Sequence, residues 1–188
     1  GLAKSWEISG DGKEYIFYLN SSVTFHDGST MDASDVKFSL DRARAEDSTN
    51  AQKALFSSIE NVEVISSDKV KVTLASPNGN FLFNMAWGDA VIVAPETIDE
   101  IKTNPIGTGA FKFSNWVQGD KIELLRNDKY WGKPAHLESA TFKFISDPSA
   151  AFSAMMAQDI DAFAGFPAPE NLVQFEADNR FQVLVGNT

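Results

Sequence analysis

The sequence contains no cysteine and only two histidines, and these absences narrow the chemistry open to it. Without cysteine the chain forms no disulfide, carries no thiol nucleophile and offers no thiolate to a metal. His26 and His136 lie far apart in the sequence, and no carboxylate spacing around either of them completes a metal site. No apolar run is long enough to span a bilayer. We therefore expect no bound metal and no direct insertion into a membrane.

Basic residues are scarce relative to acidic ones. Lysine and arginine total 16 against 26 aspartates and glutamates, which gives a formal net charge of −10. A nucleic-acid-binding surface needs a basic face for the phosphates, and an anionic lipid surface repels an acidic protein. The chain is 43% apolar and 22% charged, a globular composition, and its 188 residues can bury one good core or two small ones. We expect no nucleic acid as a partner.

Alternating apolar residues predict a β-sheet in the first part of the chain. Strands are expected at residues 6–8 and 15–19, with residues 23–25 continuing the sheet. Residues 62–65 and 70–74 alternate on either side of a polar turn, which is typical of a β-hairpin. In the second part a hairpin is predicted over residues 110–126, and further strands over 140–145, 161–164 and 181–185.

Helical spacing is clearest after Asp32. This aspartate is followed three positions later by Asp35, a pattern that resembles a capping box, and residues 33–45 place their apolar side chains on one face. Asp147 and Pro148 form a second start signal, an N-cap followed by proline in the first helical position. Further helices are predicted over residues 81–86, 96–102 and 169–177.

The most distinctive segment is Pro105–Phe113, with the sequence PIGTGAFKF. Gly107 and Gly109 predict a tight backbone path with positive φ before the following strand. In that strand two phenylalanines alternate with a lysine, so one face is expected to be buried and the other solvated. The sequence RNDKYWG at residues 126–132 places two large aromatic side chains close to the same hairpin.

These segments resemble the family 5 extracytoplasmic solute-binding proteins, which are the peptide, nickel and opine receptors of ABC importers. The family pattern N-P-[IV]-G-T-G-P-F, followed by R-N-x-x-Y-W, is similar to residues 104–111 and 126–131, with Ala110 in place of the usual proline. Residues 25–42 resemble the family's F-H-D-G segment, and residues 145–161 resemble a segment that ends in G-[ED]-[IV]-D. The resemblance covers nearly the whole chain in order.

The resemblance implies an α/β (α+β) fold of the periplasmic-binding-protein type II kind. Family members are much longer, so we expect a fragment that ends at the hinge to a missing second lobe. It would comprise a β-rich accessory α+β domain, residues 1–104, and part of ligand-binding lobe I, residues 105–188. The resemblance further implies a periplasmic or cell-surface protein that captures a peptide or related small solute, passes it to an ABC permease, and has no cofactor and no catalytic residue.

Two predicted loops carry the candidate ligand-binding residues. Trp87 and Asp89 flank a glycine after a short apolar helix, and Gly165 is followed directly by Phe166. Loops at strand ends often carry binding function in α/β proteins, and the resemblance places the second loop on the cleft between the lobes. The alternative for both rings is that they only pack between subdomains.

Three other functions stay open from the residues alone. His26 and Asp27 could form an acid–base pair, although a turn residue bonded locally is the commoner case. Asp159 and Asp161 would lie on one face of a strand, where they could hold a divalent cation for a carboxylate-based hydrolase or transferase. Finally, the chain could be chiefly a structural module that binds nothing measurable by itself.

Overall fold

In the computed structural model, which describes residues 1–186, the first four strands form one antiparallel sheet of order β1-β2-β4-β3. The strands are β1 (Ala3–Ile8), β2 (Glu14–Leu19), β3 (Ile59–Ser66) and β4 (Lys69–Leu74). In β4, Val70, Val72 and Leu74 are fully buried and alternate with half-buried residues, because successive side chains point to opposite faces of a strand. The two predicted strand pairs are confirmed.

Helix α1 (Ala33–Arg44) packs against this sheet. Its apolar face is buried as predicted, and its start is a complete capping box. The Asp32 carboxylate accepts the Ser34 backbone N–H at 2.6 Å, and the Asp35 carboxylate accepts the Asp32 N–H at 2.8 Å. Burial raises the pKa of the Asp35 carboxyl above its ordinary value, although the hydrogen bond from Asp32 opposes the shift.

The core of this part of the chain is continuous and apolar. Helix, sheet and the loops between them contribute the side chains, and the largest with no exposed surface are Phe56, Phe81 and Leu74. Burying side chains of this size contributes roughly 1.5–3 kcal/mol each. Val23 and Phe25 belong to this core, but residues 23–25 do not form the predicted strand. Their backbone groups bond within a tight loop, which pairs only Thr24 with Thr30.

Residues 81–102 contain less helix than the sequence predicts. Helix α2 covers only Phe81–Asn84, and residues 96–102 are not a helix. A 3₁₀ turn at Pro95–Thr97 is followed by isolated turns, with short-range bonds such as Ile98 N–H to Pro95 C=O at 3.3 Å. A run this short closes too few hydrogen bonds to offset helix nucleation.

The second sheet has three strands in the order β5-β6-β7. These are β5 (Phe111–Val117), β6 (Lys121–Arg126) and β7 (Ser139–Lys143). The β5–β6 hairpin is confirmed, and Gly119 turns it with a φ of 78° that favours glycine. The predicted contrast between a buried and a solvated face is wrong at the start of β5, where Phe111, Lys112 and Phe113 are all half-buried.

The Gly107–Ala110 segment leads into β5, and neither of its glycines has a positive φ, so that prediction was wrong. The segment is instead held by side chains distant in sequence. The backbone N–H of His26 donates to the Gly107 carbonyl at 2.8 Å. The Gly107 N–H donates to His26 Nδ1 at 3.2 Å, and His26 Nε2 lies 3.0 Å from the Gly109 carbonyl.

Two residues of the sequence RNDKYWG, at positions 126–132, also bond to the Gly107–Ala110 segment. Asn127 is only 3% exposed; its backbone N–H donates to the Ala110 carbonyl at 2.8 Å and its side-chain amide to the Gly109 carbonyl at 3.2 Å. Trp131 Nε1–H donates to the Thr108 carbonyl at 2.9 Å. With the Gly107 carbonyl, four consecutive carbonyls outside any strand therefore have a hydrogen-bond partner within the protein.

The chain divides into two compact units. The first comprises Gly1–Asn115 and Glu123–Ala140, and the second Trp116–Ile122 and the chain from Thr141 onward. The predicted division into an accessory domain, 1–104, and a lobe, 105–188, concerns roles within a larger protein and stays a prediction. Among residues 1–186 no helix combines the length and apolar character needed to cross a bilayer.

The second unit contains two helices and an aromatic cluster. Helix α3 (Pro148–Met156) begins as predicted, since the Asp147 carboxylate accepts the Ala150 N–H at 2.7 Å. Helix α4 (Leu172–Glu176) follows a 3₁₀ turn. The predicted strands at 161–164 and 181–185 are wrong, because within residues 1–186 neither segment pairs with a strand. Their aromatic residues pack into the cluster instead.

Replacing the N-cap tests whether the capping box holds helix α1. Asp32→Ala removes the acceptor for the first-turn N–H groups and should lower the free energy of unfolding by about 1 kcal/mol. Chemical denaturation followed by circular dichroism measures the loss. Asp47→Ala, an exposed aspartate beyond the helix, is the matched control and should have little effect. Equal effects of both substitutions would contradict the capping role.

Truncating Asn127 tests the support of the Gly107–Ala110 segment. Asn127→Ala removes a side chain that is only 3% exposed and should destabilise the first unit by about 1 kcal/mol, because its hydrogen bonds to the Gly109 carbonyl and from the Lys129 N–H are lost. Asn104→Ala, at an exposed position, serves as control in the same denaturation experiment. Loss of less than about 0.5 kcal/mol in Asn127→Ala would show that the segment does not depend on this side chain.

Candidate ligand-binding site

The loop after helix α2 presents an exposed aromatic pair. Trp87 is 47% exposed and Phe83 65% exposed, and their rings meet edge to face with centroids 6.0 Å apart. Aromatic rings favour this geometry, which orients the pair while leaving much of both rings in water. Sequence reasoning identified Trp87 and missed Phe83. The spacing of four residues across one helical turn was the available signal.

The Trp87–Asp89 loop is fixed by backbone hydrogen bonds. The Ala90 N–H donates to the Trp87 carbonyl at 3.0 Å, and the Asn50 side-chain amide donates to the Asp89 carbonyl at 2.9 Å. Asp89 itself is half-buried. The structure therefore brings the two predicted residues of the first unit together in one anchored turn, with the indole partly open to solvent.

The chain on either side of Trp87 also forms one wall of an apolar cavity of about 370 Å³. The sheet supplies Phe17, Leu19 and Val70, helix α1 supplies Val36 and Leu40, and the chain around Trp87 supplies Leu82, Met85, Ala86, Ala90 and Ile92. Walls of this composition suit an apolar group and offer few partners to a charged one. Sequence reasoning did not find this cavity, because its lining residues read simply as core.

The second candidate loop contributes to the aromatic cluster of the second unit. Gly165 is exposed and has a φ of 62°, a left-handed conformation that favours glycine. The half-buried Phe166 ring meets Phe163 and Phe175 edge to face, with centroids 5.4 and 5.3 Å apart. Phe175, which is 4% exposed, also contacts Phe181 at 5.1 Å. Within this unit the Phe166 ring packs against Phe163 and Phe175. Its role in ligand binding stays a prediction.

The side chains of His26 and Asp27 are hydrogen-bonded to different partners. The Asp27 carboxylate accepts the backbone N–H and the hydroxyl of Ser29 at 2.9 and 2.7 Å, and these bonds hold the pKa of Asp27 below its usual range. The His26 ring bonds to Gly107 and Gly109. The two side chains are therefore committed to different partners, as a locally bonded turn predicts.

The Asp159 and Asp161 carboxylates are not arranged for metal binding. Both residues are exposed and lie in bends rather than in the strand that would have aligned them. The nearby Lys143 ammonium donates to the Asp159 backbone carbonyl at 3.1 Å, which places a cation beside this corner. Throughout residues 1–186 no group of three or more histidine, aspartate or glutamate side chains is placed to hold a metal ion.

Comparison with known proteins gives the same architecture over almost the whole chain. NikZ from Campylobacter jejuni, solved in complex with Ni(L-His), superposes with a TM-score of 0.86 at 30% identity, over 95% of this chain and 37% of that one. A Helicobacter pylori DppA in complex with the peptide STSA gives a TM-score of 0.85 at 28% identity, over 95% of this chain and 40% of that one. The predicted type II periplasmic-binding-protein fold is thus confirmed.

Sequence comparison leads to the same group of proteins. The glutathione-binding protein GsiB of Pectobacterium atrosepticum is 35% identical over 174 residues, which is 89% of this chain and 33% of that relative. The chain thus spans about a third of the length of this curated relative. The family described as bacterial extracellular solute-binding proteins, family 5 Middle, matches residues 1–187. The chain therefore belongs to family 5 of the bacterial extracellular solute-binding proteins.

Proposed function

We propose that the chain is part of a receptor that captures a peptide or related small solute and delivers it to an ABC permease in the membrane. The family match over residues 1–187 carries this proposal. Among the relatives named above, GsiB is a glutathione-binding protein, and NikZ and DppA were solved with Ni(L-His) and with the peptide STSA. Such a receptor acts outside the cytoplasm, in the periplasm or at the cell surface.

The proposed contacts come from the two loops, with Trp87 and Asp89 in the first and Gly165 and Phe166 in the second. Trp87 carries the strongest physical case. Its indole is large, oriented by Phe83 and half-exposed, so covering it with a solute removes apolar surface from water with little loss of side-chain entropy. Asp89 would add a carboxylate close to that ring. Gly165 would keep the second loop in its left-handed turn beside Phe166.

The proposed receptor is not an enzyme. Of the two pairs considered for catalysis, His26–Asp27 has its carboxylate bonded to Ser29, and Asp159–Asp161 lies in exposed bends. No observation favours the alternative of a cation-dependent hydrolase or transferase. We propose that residues 1–104 form an accessory domain and that residues 105–188 form part of the ligand-binding lobe. A solute would then be held mainly by backbone-type hydrogen bonds and apolar contacts.

Calorimetric titration distinguishes a receptor, which binds its solute reversibly, from an enzyme, which turns it over. The full-length protein that contains this chain is titrated with reduced glutathione, with mixed di- to pentapeptides and with a Ni(L-His) complex. We expect saturable heat from one of these and none from the 188-residue chain alone, because the chain spans only about a third of its relatives. Heat that continues slowly after each injection would indicate turnover and contradict the proposal. Absence of heat from all three would contradict the proposed solute class.

Substitution of Trp87 tests its place in the site. In the full-length protein Trp87→Ala should weaken binding of the identified solute about tenfold or more, as loss of a central aromatic contact does. Trp116→Ala is the matched control, because that indole is 45% exposed and lies outside both candidate loops. Unchanged affinity in Trp87→Ala, or equal loss in both variants, would exclude Trp87 from the site.

A further inference from the structure

Both ring nitrogens of His26 are engaged with backbone groups 81 and 83 positions away in the sequence. The Gly107 N–H donates to Nδ1 at 3.2 Å, so Nδ1 must carry a lone pair. Nε2 then carries the proton and donates it to the Gly109 carbonyl at 3.0 Å. The hydrogen-bond pattern therefore fits only the neutral imidazole, and only one of its two tautomers.

A second proton on His26 turns Nδ1 from an acceptor into a donor and so removes the acceptor of the hydrogen bond from Gly107. Imidazolium has a donor at each nitrogen and no acceptor. The Nδ1–H would point at the Gly107 N–H, which would lose its partner and face another donor. The bond from Nε2 to Gly109 would remain, as would the backbone bond from the His26 N–H to the Gly107 carbonyl. The disturbance therefore centres on the amide of Gly107.

We propose that His26 is a proton-sensitive contact, which fixes the Gly107 end of the Gly107–Ala110 segment only while its imidazole is neutral. The other end does not share this sensitivity. Asn127 bonds to Gly109 and Ala110, and Trp131 bonds to Thr108, through amide and indole groups that do not titrate in the physiological range. Acidic pH would therefore loosen the segment only at Gly107. The rest of the segment, which leads into β5, would keep its hydrogen bonds and stay folded.

Burial, hydrogen bonding and nearby charges set the pH at which the His26 imidazole becomes protonated. Burial lowers the pKa of His26 below its ordinary value, and Lys112 in β5 acts in the same direction. The bond to the Gly109 carbonyl and the charge of Asp27 oppose the shift. Because the folded protein holds this proton more weakly than the unfolded chain, the contact contributes its full stability above pH ~6.5. That contribution is lost as the pH falls from there through the folded pKa.

Histidine NMR measures the predicted behaviour directly. The full-length protein is labelled with ¹³C at histidine Cε1 and titrated from neutral to acidic pH, with His26 assigned by the signal missing in His26→Gln. His136, which is exposed, is assigned in the same way through His136→Gln and serves as reference. We expect the His26 signal to titrate below pH ~6.5 and to report the Nε2–H tautomer when neutral. A midpoint at or above the ordinary value, or the other tautomer, would overturn the proposal.

Hydrogen exchange at the Gly107 amide supplies the second measurement. Its protection factor, corrected for the intrinsic rate, should fall about three- to tenfold as His26 becomes protonated, while protection of the Ala110-bonded Asn127 amide stays constant. His26→Gln offers an acceptor and a donor that do not titrate, so its Gly107 protection should not change with pH. Constant protection in the unsubstituted protein would overturn the proposal, even if the variant failed to fold.

Discussion

Backbone polar groups that leave regular secondary structure must still find partners, and the Gly107–Ala110 segment shows how this protein meets that constraint. The segment lies outside the strands, and an imidazole, a carboxamide and an indole bond to it together with the backbone N–H groups of His26 and Asn127. These side chains come from residues 26, 127 and 131, which are spread across the first unit. The path of the chain into β5 therefore depends on polar contacts as well as on apolar packing.

The same constraint explains why the family's signature residues are distributed as they are. The glycine-rich segment, the histidine before an aspartate and the asparagine before a tyrosine–tryptophan pair are far apart in the sequence, yet they form one hydrogen-bonded group. Truncating His26, Asn127 or Trp131 removes a side-chain hydrogen bond to a backbone group of the segment. Signature residues of this kind reflect a shared structural role and do not by themselves mark a binding site.

The sequence predicted elements whose stability is local or whose periodicity is strong. Helix α1 has both a complete cap and an apolar face, and the β3–β4 and β5–β6 hairpins have alternation on either side of a turn. The predictions at 161–164 and 181–185 were wrong because an apolar run specifies burial but not the partner strand. Phe163 and Phe181 are half-buried and pack against other rings instead. The role of His26 was equally out of reach, since a contact over 81 positions leaves no local pattern.

The apolar cavity beside Trp87 has a mechanical consequence. This pocket of about 370 Å³ is partly open to solvent, so the side chains that line it contact fewer neighbours than side chains in a close-packed interior. The stretch from Leu82 to Ile92 therefore has free space along one side, although hydrogen bonds anchor its turn. The side chains that line the pocket can change rotamer at less cost than those of the close-packed core, where a neighbour would have to move.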